Sequence, residues 1–287
     1  MPLTAFLLVV VAALAHSTWN LLAKRAAHSK HLIWFSSLTE AFLFLPVAVW
    51  ASAHLWSRLG LRAAAFLFAT GVLHLLYTES LLRGYRVGDL SVVYPLARGT
   101  GPLLSFFGAI LLLGERPSML AGAGALLVTS GVLLLSGGLS AFRRGTNRAG
   151  LLWGIATGIT IACYTLVDGY SVRVLLLSPF LVEYAGNLLR TLVLSVLVSR
   201  ERASQIMAEY RRHWKESLGI GVLTMAGYTL VLFAMTIAPI SRVAPLREMS
   251  MMIGAYFGIR FFGERHGRRR VVGSALIAMG VAGLTLG

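Results

Sequence analysis

The sequence predicts an all-α membrane protein of about ten transmembrane helices arranged as two inverted five-helix repeats. Three observations carry that expectation. The first is composition: of 287 residues, 57% are hydrophobic and 13% charged, with a mean hydropathy of +0.76, whereas soluble domains carry about 25% charged residues. The second is periodicity at membrane scale, a succession of apolar runs near the ~20 residues that a spanning helix needs. The third is an internal echo: GER at 114–116 returns at 263–265, 149 residues on, and the same offset carries Arg98 onto Arg247.

Taken in order, the expected spans lie near 3–23, 32–53, 63–82, 90–113, 117–137, 150–171, 179–199, 217–238, 242–262 and 271–286. The first run has no basic n-region and passes through HSTWN into LLAKRA without a cleavage-site pattern, so it reads as a retained helix. The connections are short. The longest polar segments are SGGLSAFRRGTNRAG at 136–150, at the middle of the chain, and SRERASQIMAEYRRHWKES at 199–217. The expected organisation is therefore a first half over 1–139, a linker over 140–149 and a second half over 150–287. An odd number of spans per half inserts the second half in the opposite sense, the inverted-repeat plan of secondary transporters. Connections after spans 1, 3, 5, 7 and 9 hold about 17 Lys and Arg against about 5 on the other side, which predicts those five connections in the cytoplasm and both termini outside an inner, or plasma, membrane.

The net charge of +15 raises the question of nucleic acid. Its basic residues are scattered through short interhelical clusters, KRAAHSK, RRGTNR and ERHGRRR among them, and not gathered on one face, so no nucleic-acid partner is expected. A single cysteine, Cys163, excludes an intrachain disulfide and any multi-cysteine metal site. Neither a metal nor a cofactor is expected. No GxxxxGK[ST], HExxH or GxSxG occurs, which argues against direct use of ATP and against common hydrolase chemistry.

Charges at membrane depth cost roughly 2.5–3.5 kcal/mol on insertion scales and usually face protein or water, so each is a candidate for function. The stretch YPLARGTGP at 94–102 sets Tyr94 and Arg98 between two prolines and two glycines; the prolines are expected to open the helix and the arginine to meet an anionic group. A pair with Glu79 or Glu40 is the structural alternative. Arg247 is followed at once by Glu248, and adjacent helical residues diverge by ~100°, so both reach one site only if the helix unwinds there. His16, Trp19 and Asn20 share a face of the first span, and His74 and Tyr77 share one on the third. Tyr164 with Asp168, and Tyr228, supply further polar groups from the sixth and eighth spans. Glu40, Asp168 and Glu248 are the candidate proton carriers. Glu183, Asn187 and Arg190 are spaced to satisfy one another along one face. Glycines at 150, 154 and 158, and again at 254 and 258, read as close helix packing.

The ten-span plan, the STWNLLAKRA end of the first helix and the two PL-x-R … GER segments resemble the EamA branch of the drug/metabolite transporter superfamily over essentially the whole chain. One departure stands out: the sixth span reads CYTLVDGYSVR, without the tryptophan and asparagine of the first, so the halves are expected to contribute unequally to a site. That resemblance implies a membrane transporter of a small organic solute, amino-acid-like or otherwise bearing a carboxylate or phosphonate, working by alternating access with proton-coupled export. The partners implied are that solute and the lipid bilayer, in a monomer or loose dimer. A flippase for a lipid or lipid-linked sugar is the alternative, and an intramembrane enzyme a lesser one.

Overall fold

In a computed structural model, residues 1–26, 28–53, 60–135, 148–199, 201–262 and 268–287 are described. Among them the secondary structure is helical throughout: α1 Leu3–Arg25, α2 Leu32–Leu43, α3 Leu45–Ala53, α4 Leu61–Val87, α5 Leu90–Leu113, α6 Met119–Leu135, α7 Arg148–Arg173, α8 Pro179–Val198, α9 Ala203–Ile237, α10 Ile240–Leu246, α11 Met249–Phe262 and α12 Arg268–Leu286. Seven of these are long and apolar enough to cross a membrane, or eight if α2 and α3 are one span bent by 49°. The α6 helix is apolar but has 17 residues, and the ninth expected span is divided into α10 and α11. Residues 136–147 of the 136–150 segment and the second GER, at 263–265, lie outside the described residues.

The breaks have local causes. Pro46, at the second position of α3, has no N–H for the carbonyl of Phe42, and the chain bends there. Pro245 likewise leaves the carbonyl of Ser241 without its helical donor. The following residues tighten into three-residue steps, with Glu248 N to Pro245 O at 3.1 Å and Ser250 N to Arg247 O at 3.1 Å. Arg247 and Glu248 therefore stand at a tightened joint between α10 and α11. The expectation for α5 fails by contrast: it runs unbroken from Leu90 to Leu113 with Pro95 and Pro102 inside it. Its glycines serve close approach. A Cβ on Gly101 would lie 2.6 Å from Ile161, and one on Gly154 would lie 2.9 Å from Leu96, so α5 and α7 meet nearly backbone to backbone and hold the helix across its prolines. Gly150 does the same against Gly88. Gly254 does not: nothing lies within 4 Å of a Cβ there, so it opens onto space and not onto a neighbouring helix.

Principal helix contacts run between the two halves of the chain. α1 packs on α9 as α7 packs on α4; α5 packs on α7 as α10 and α11 pack on α5 and α1; α2 packs on α8 and α9, and α6 on α12. α4 packs on α8 as well. Gly124 and Gly280 seat α6 on α12, each placing a would-be Cβ within 2.7 Å of the other's carbonyl oxygen.

Two latches mark the ends of the bundle. At one end Glu115, just after the left-handed Gly114 that closes α5, accepts the backbone N–H of Ile240 at 2.8 Å and of Ser241 at 2.9 Å, and takes Arg173 Nη1 at 2.8 Å. Both termini join that end, through Met1 N on Thr285 O and Arg242 on Gly287 O. The first GER turn thus ties three chain connections together instead of merely turning the chain. At the other end Glu209 accepts the Ser29 hydroxyl at 2.5 Å and the His31 N–H at 3.0 Å, and meets His31 Nδ1 at 2.6 Å, while Lys30 pairs with Glu201 at 2.7 Å.

Glu209 lies before the kink at His213, in the polar first part of a helix whose 35 residues exceed what the hydrocarbon core needs. Partial burial pushes its carboxyl up, but the hydrogen bonds from His31 and Ser29 outweigh that and hold it at about 2. A folded-state value below the unfolded one stabilises at pH above ~4.3 and is lost as pH falls toward 2. Thermal unfolding of the purified protein is accordingly expected to lose about 2 kcal/mol through this group between pH 4.5 and 2, and Glu209→Gln should flatten that part of the profile. Identical slopes for the two proteins would contradict it.

Candidate functional site

A cavity of about 270 Å³ lies between the halves, walled by α1, α2, α4, α5, α7, α8, α9 and the joint between α10 and α11. At one end it is floored by the buried Ala12, Ala13 and Val231; at the other it reaches the exposed Ile33 and Leu82, on the side of the Glu209 latch. The Glu115 latch closes the opposite end.

One wall is aromatic. The His74 and Tyr164 rings stack with centroids 4.3 Å apart, and Tyr228 stands edge-on to both at 5.7 and 6.1 Å. Tyr77 meets Tyr164 edge-on at 5.7 Å. Such rings supply flat apolar surface with polar tips that still need partners. Tyr228 finds its own in Asp168, donating to Oδ2 at 2.7 Å, and the same oxygen lies 4.0 Å from His74 Nε2. The His74 Nδ1 faces the Thr70 carbonyl at 2.9 Å, which sets that nitrogen as the proton-bearing one. Asp168 is fully buried behind this wall and does not line the cavity.

Arg98 and Arg247 have different surroundings. Arg98 is spoken for: its Nε lies 3.3 Å from Glu248 Oε2, and its Nη2 lies 3.2 Å from His16 Nε2 and 3.4 Å from the Ser250 hydroxyl. The pairing partner is neither Glu79, which holds Arg83 at 2.5 Å, nor Glu40, which holds Arg190 at 2.9 Å. Arg247 also lines the cavity, 5.0 Å from the centre of the Tyr228 ring, and among the described residues no carboxylate lies within 4.0 Å of it. Cation–π contact with Tyr228 is worth about 0.5–2 kcal/mol, and the Tyr164 hydroxyl takes a hydrogen bond from Arg247, so the guanidinium keeps part of its five-donor fork for a ligand. This is the cation of the cavity with donors to spare.

His16 and Trp19 line the cavity together, the indole Nε1 donating to His16 Nδ1 at 3.3 Å. Asn20 turns its amide onto the His16 carbonyl at 2.7 Å and, with Tyr94, borders a separate side cleft beside α11. Tyr94 donates to Met251 Sδ at 3.3 Å there. Glu248, behind Arg98, also lies off the main cavity. So His16, Trp19, His74, Tyr77, Arg98, Tyr164, Tyr228, Arg247 and Glu40 converge, while Asn20, Tyr94, Asp168 and Glu248 stand behind or beside them.

The internal network that sequence spacing assigns to α8 is present in part. Arg190 donates to Asn187 as that spacing expects and also reaches across to Glu40 of α2, while Glu183 lines the cavity with no hydrogen-bond or ion-pair partner among the described residues. Asn187 and Thr191 fasten α8 to the Ser37 carbonyl, each at 3.1 Å. Among the described residues, no cluster of three or more His, Cys, Asp or Glu could hold a metal ion.

Residues 148–286 match the model of the EamA-like transporter family. A solved structure bearing only the description "Crystal structure of protein", one of 29 matching chains, has a TM-score of 0.75 over 100% of this chain and 98% of that one. At 19% identity, that likeness speaks for the fold. Among curated proteins none matches.

Proposed function

The chain carries an EamA-like transporter domain over residues 148–286, and on that premise we propose that the whole protein is a secondary transporter. Its cargo on this reading is a small organic solute with a carboxylate or similar anionic group, exported by alternating access in exchange for protons. The observation that carries the reading is Arg247: a guanidinium with no described carboxylate within ion-pair reach, facing a cavity between the halves. A buried cation is costly unless an anion completes it, and a bidentate carboxylate fits its fork. The aromatic wall of His74, Tyr77, Tyr164 and Tyr228 would take the solute's apolar body.

Ten spans in two inverted halves is the matching architecture, with α2–α3 and α10–α11 each one broken span. The exchangeable pattern of helix pairings supports it, as do the gathering of both termini at the Glu115 end and the excess of basic residues at the other. Broken spans at membrane depth are tolerated where they line a cavity, and Arg247, at the joint of α10 and α11, lines this one. On the positive-inside rule the cavity then faces the cytoplasm and the Glu115 latch closes the outside. Rocking of the halves about the site would open one end as it closes the other.

Sealed proteoliposomes loaded with an equimolar mixture of the common amino acids and simple monocarboxylates test this. The expectation is loss of one solute or a narrow set, accelerated by an opposing proton gradient and absent from protein-free vesicles. No movement of any solute, or chemical conversion of one in unsealed vesicles, would contradict it.

A further inference from the structure

Four carboxylates cluster around the cavity, and three of them are committed. Glu40 holds Arg190, Glu248 faces Arg98, and Asp168 accepts from Tyr228. Glu183 differs. It lines the cavity and is 6% exposed, and among the described residues it has neither a hydrogen-bond donor nor a cation within ion-pair distance. Charged groups facing it are Glu40 from α2, Arg190 from its own helix, Asp168 from α7 and Arg247 from the α10–α11 joint. From α4, His74 stands against Gly186, 3.6 Å from where a Cβ would be. α9 presents the Tyr228 hydroxyl to Asp168 and not to Glu183, and α3 brings no titratable side chain.

Glu183 and Glu40 therefore share one guanidinium. With both ionised the Glu40–Arg190–Glu183 group carries one negative charge that Arg190 does not answer, and Arg247, the other cation facing it, lies beyond ion-pair distance; such a charge in a secluded site is strongly disfavoured. One proton or one cation brought in from outside restores balance. The cavity also holds the complementary vacancy at Arg247, which lacks an anion.

We propose that Glu183 exchanges a proton for the cationic amino group of a zwitterionic solute, whose anionic end lies on Arg247; this rests on the transport reading above. With no solute bound, the Glu183 carboxyl keeps its proton. As a solute ammonium enters, that O–H bond breaks, the proton passes to water on the open side, and the carboxylate pairs with the ammonium. On the other side the solute leaves as a proton arrives. One proton moves against each solute, and no other bond is made or broken. A protonated Glu183 cannot pair with the ammonium, so the site carries one passenger or the other.

Glu183→Gln, which mimics the protonated acid, provides the test in proteoliposomes loaded with an equimolar mixture of the common amino acids. Wild type is expected to accelerate efflux of a zwitterion at least tenfold when the outside is made acidic. In Glu183→Gln that acceleration should vanish, and any residual flux should be the same from pH 6 to pH 8. Glu183→Asp should restore part of the drive, whereas a merely structural role would not be rescued by shortening the acid. Undiminished proton drive in Glu183→Gln overturns the assignment while leaving the transport reading intact. So does a Glu183→Asp protein that purifies as wild type does and yet restores none of the drive. No amino-acid movement by wild type overturns the zwitterion proposal; movement of monocarboxylates under the same gradient would keep the broader reading.

Discussion

Replacing Arg247 by glutamine is expected to weaken binding of the transported solute at least 100-fold while leaving folding yield near wild type. A charge-assisted hydrogen bond contributes about 1.5–3 kcal/mol, and a forked guanidinium–carboxylate pair makes two. Because no described carboxylate depends on Arg247, its removal strands no buried acid. Arg247→Lys keeps the charge but loses the fork, so an intermediate loss of about tenfold is expected. Arg98→Gln should behave in the opposite manner. It would strand Glu248, which is 3% exposed, and breaking a buried pair by removing one partner costs about 3–5 kcal/mol. Its signature is therefore loss of folded protein. Calorimetric binding beside size-exclusion yield for the three variants separates the roles; a clean binding defect in Arg98→Gln with normal yield would reverse them.

Glu115→Ala is expected to unlatch the closed end. It removes the acceptor for two backbone N–H groups at the start of α10 and for Arg173 together. An N-cap acceptor contributes about 0.5–2 kcal/mol, and the exposed half of the Arg173 pair little more. A combined loss of about 2–3 kcal/mol corresponds to roughly a 30- to 150-fold shift toward the conformer open at that end. The single native cysteine makes the readout simple. In a Cys163→Ser background, Val231→Cys places one thiol at the cavity floor, and an impermeant maleimide is added on the Glu115 side of sealed vesicles. Labelling should be at least tenfold faster with Glu115→Ala than without it. Unchanged labelling would mean that the latch merely joins loops and does not hold the end shut.

Much of this molecule was legible in the sequence, and most of what was not shares one physical cause. Apolar run length located the apolar part of each helix, because the bilayer imposes a length on each span; it missed the polar first part of α9, which begins at Ala203 inside the segment read as a connection. The break at Arg247 and Glu248 does not bring both to one site: Arg247 lines the cavity, and Glu248 turns to Arg98. Pairing was not legible. The partner of Arg98 lies 150 residues away at Glu248, and Arg190 bypasses Glu183 on its own helix for Glu40 on another. Spacing along one helix says which side chains can meet, not which competitor from a packed neighbour arrives closer. The prolines of α5 misled for the same reason: their local effect is to open a helix, yet Gly101 and Gly154 bring α7 close enough to hold it straight. On the reading we propose, the anion-binding role that YPLARGTGP suggests for Arg98 falls to Arg247, since Arg98 already faces Glu248.

The most direct measurement removes the charge from the ligand instead of the protein. Titrating the purified wild type with the common amino acids, and then the tightest binder against its own carboxamide, isolates the contact proposed at Arg247. The account predicts that the carboxamide binds wild type at least 100-fold more weakly, and that Arg247→Gln no longer distinguishes the two. Equal affinities in wild type, or full discrimination surviving in Arg247→Gln, would contradict it.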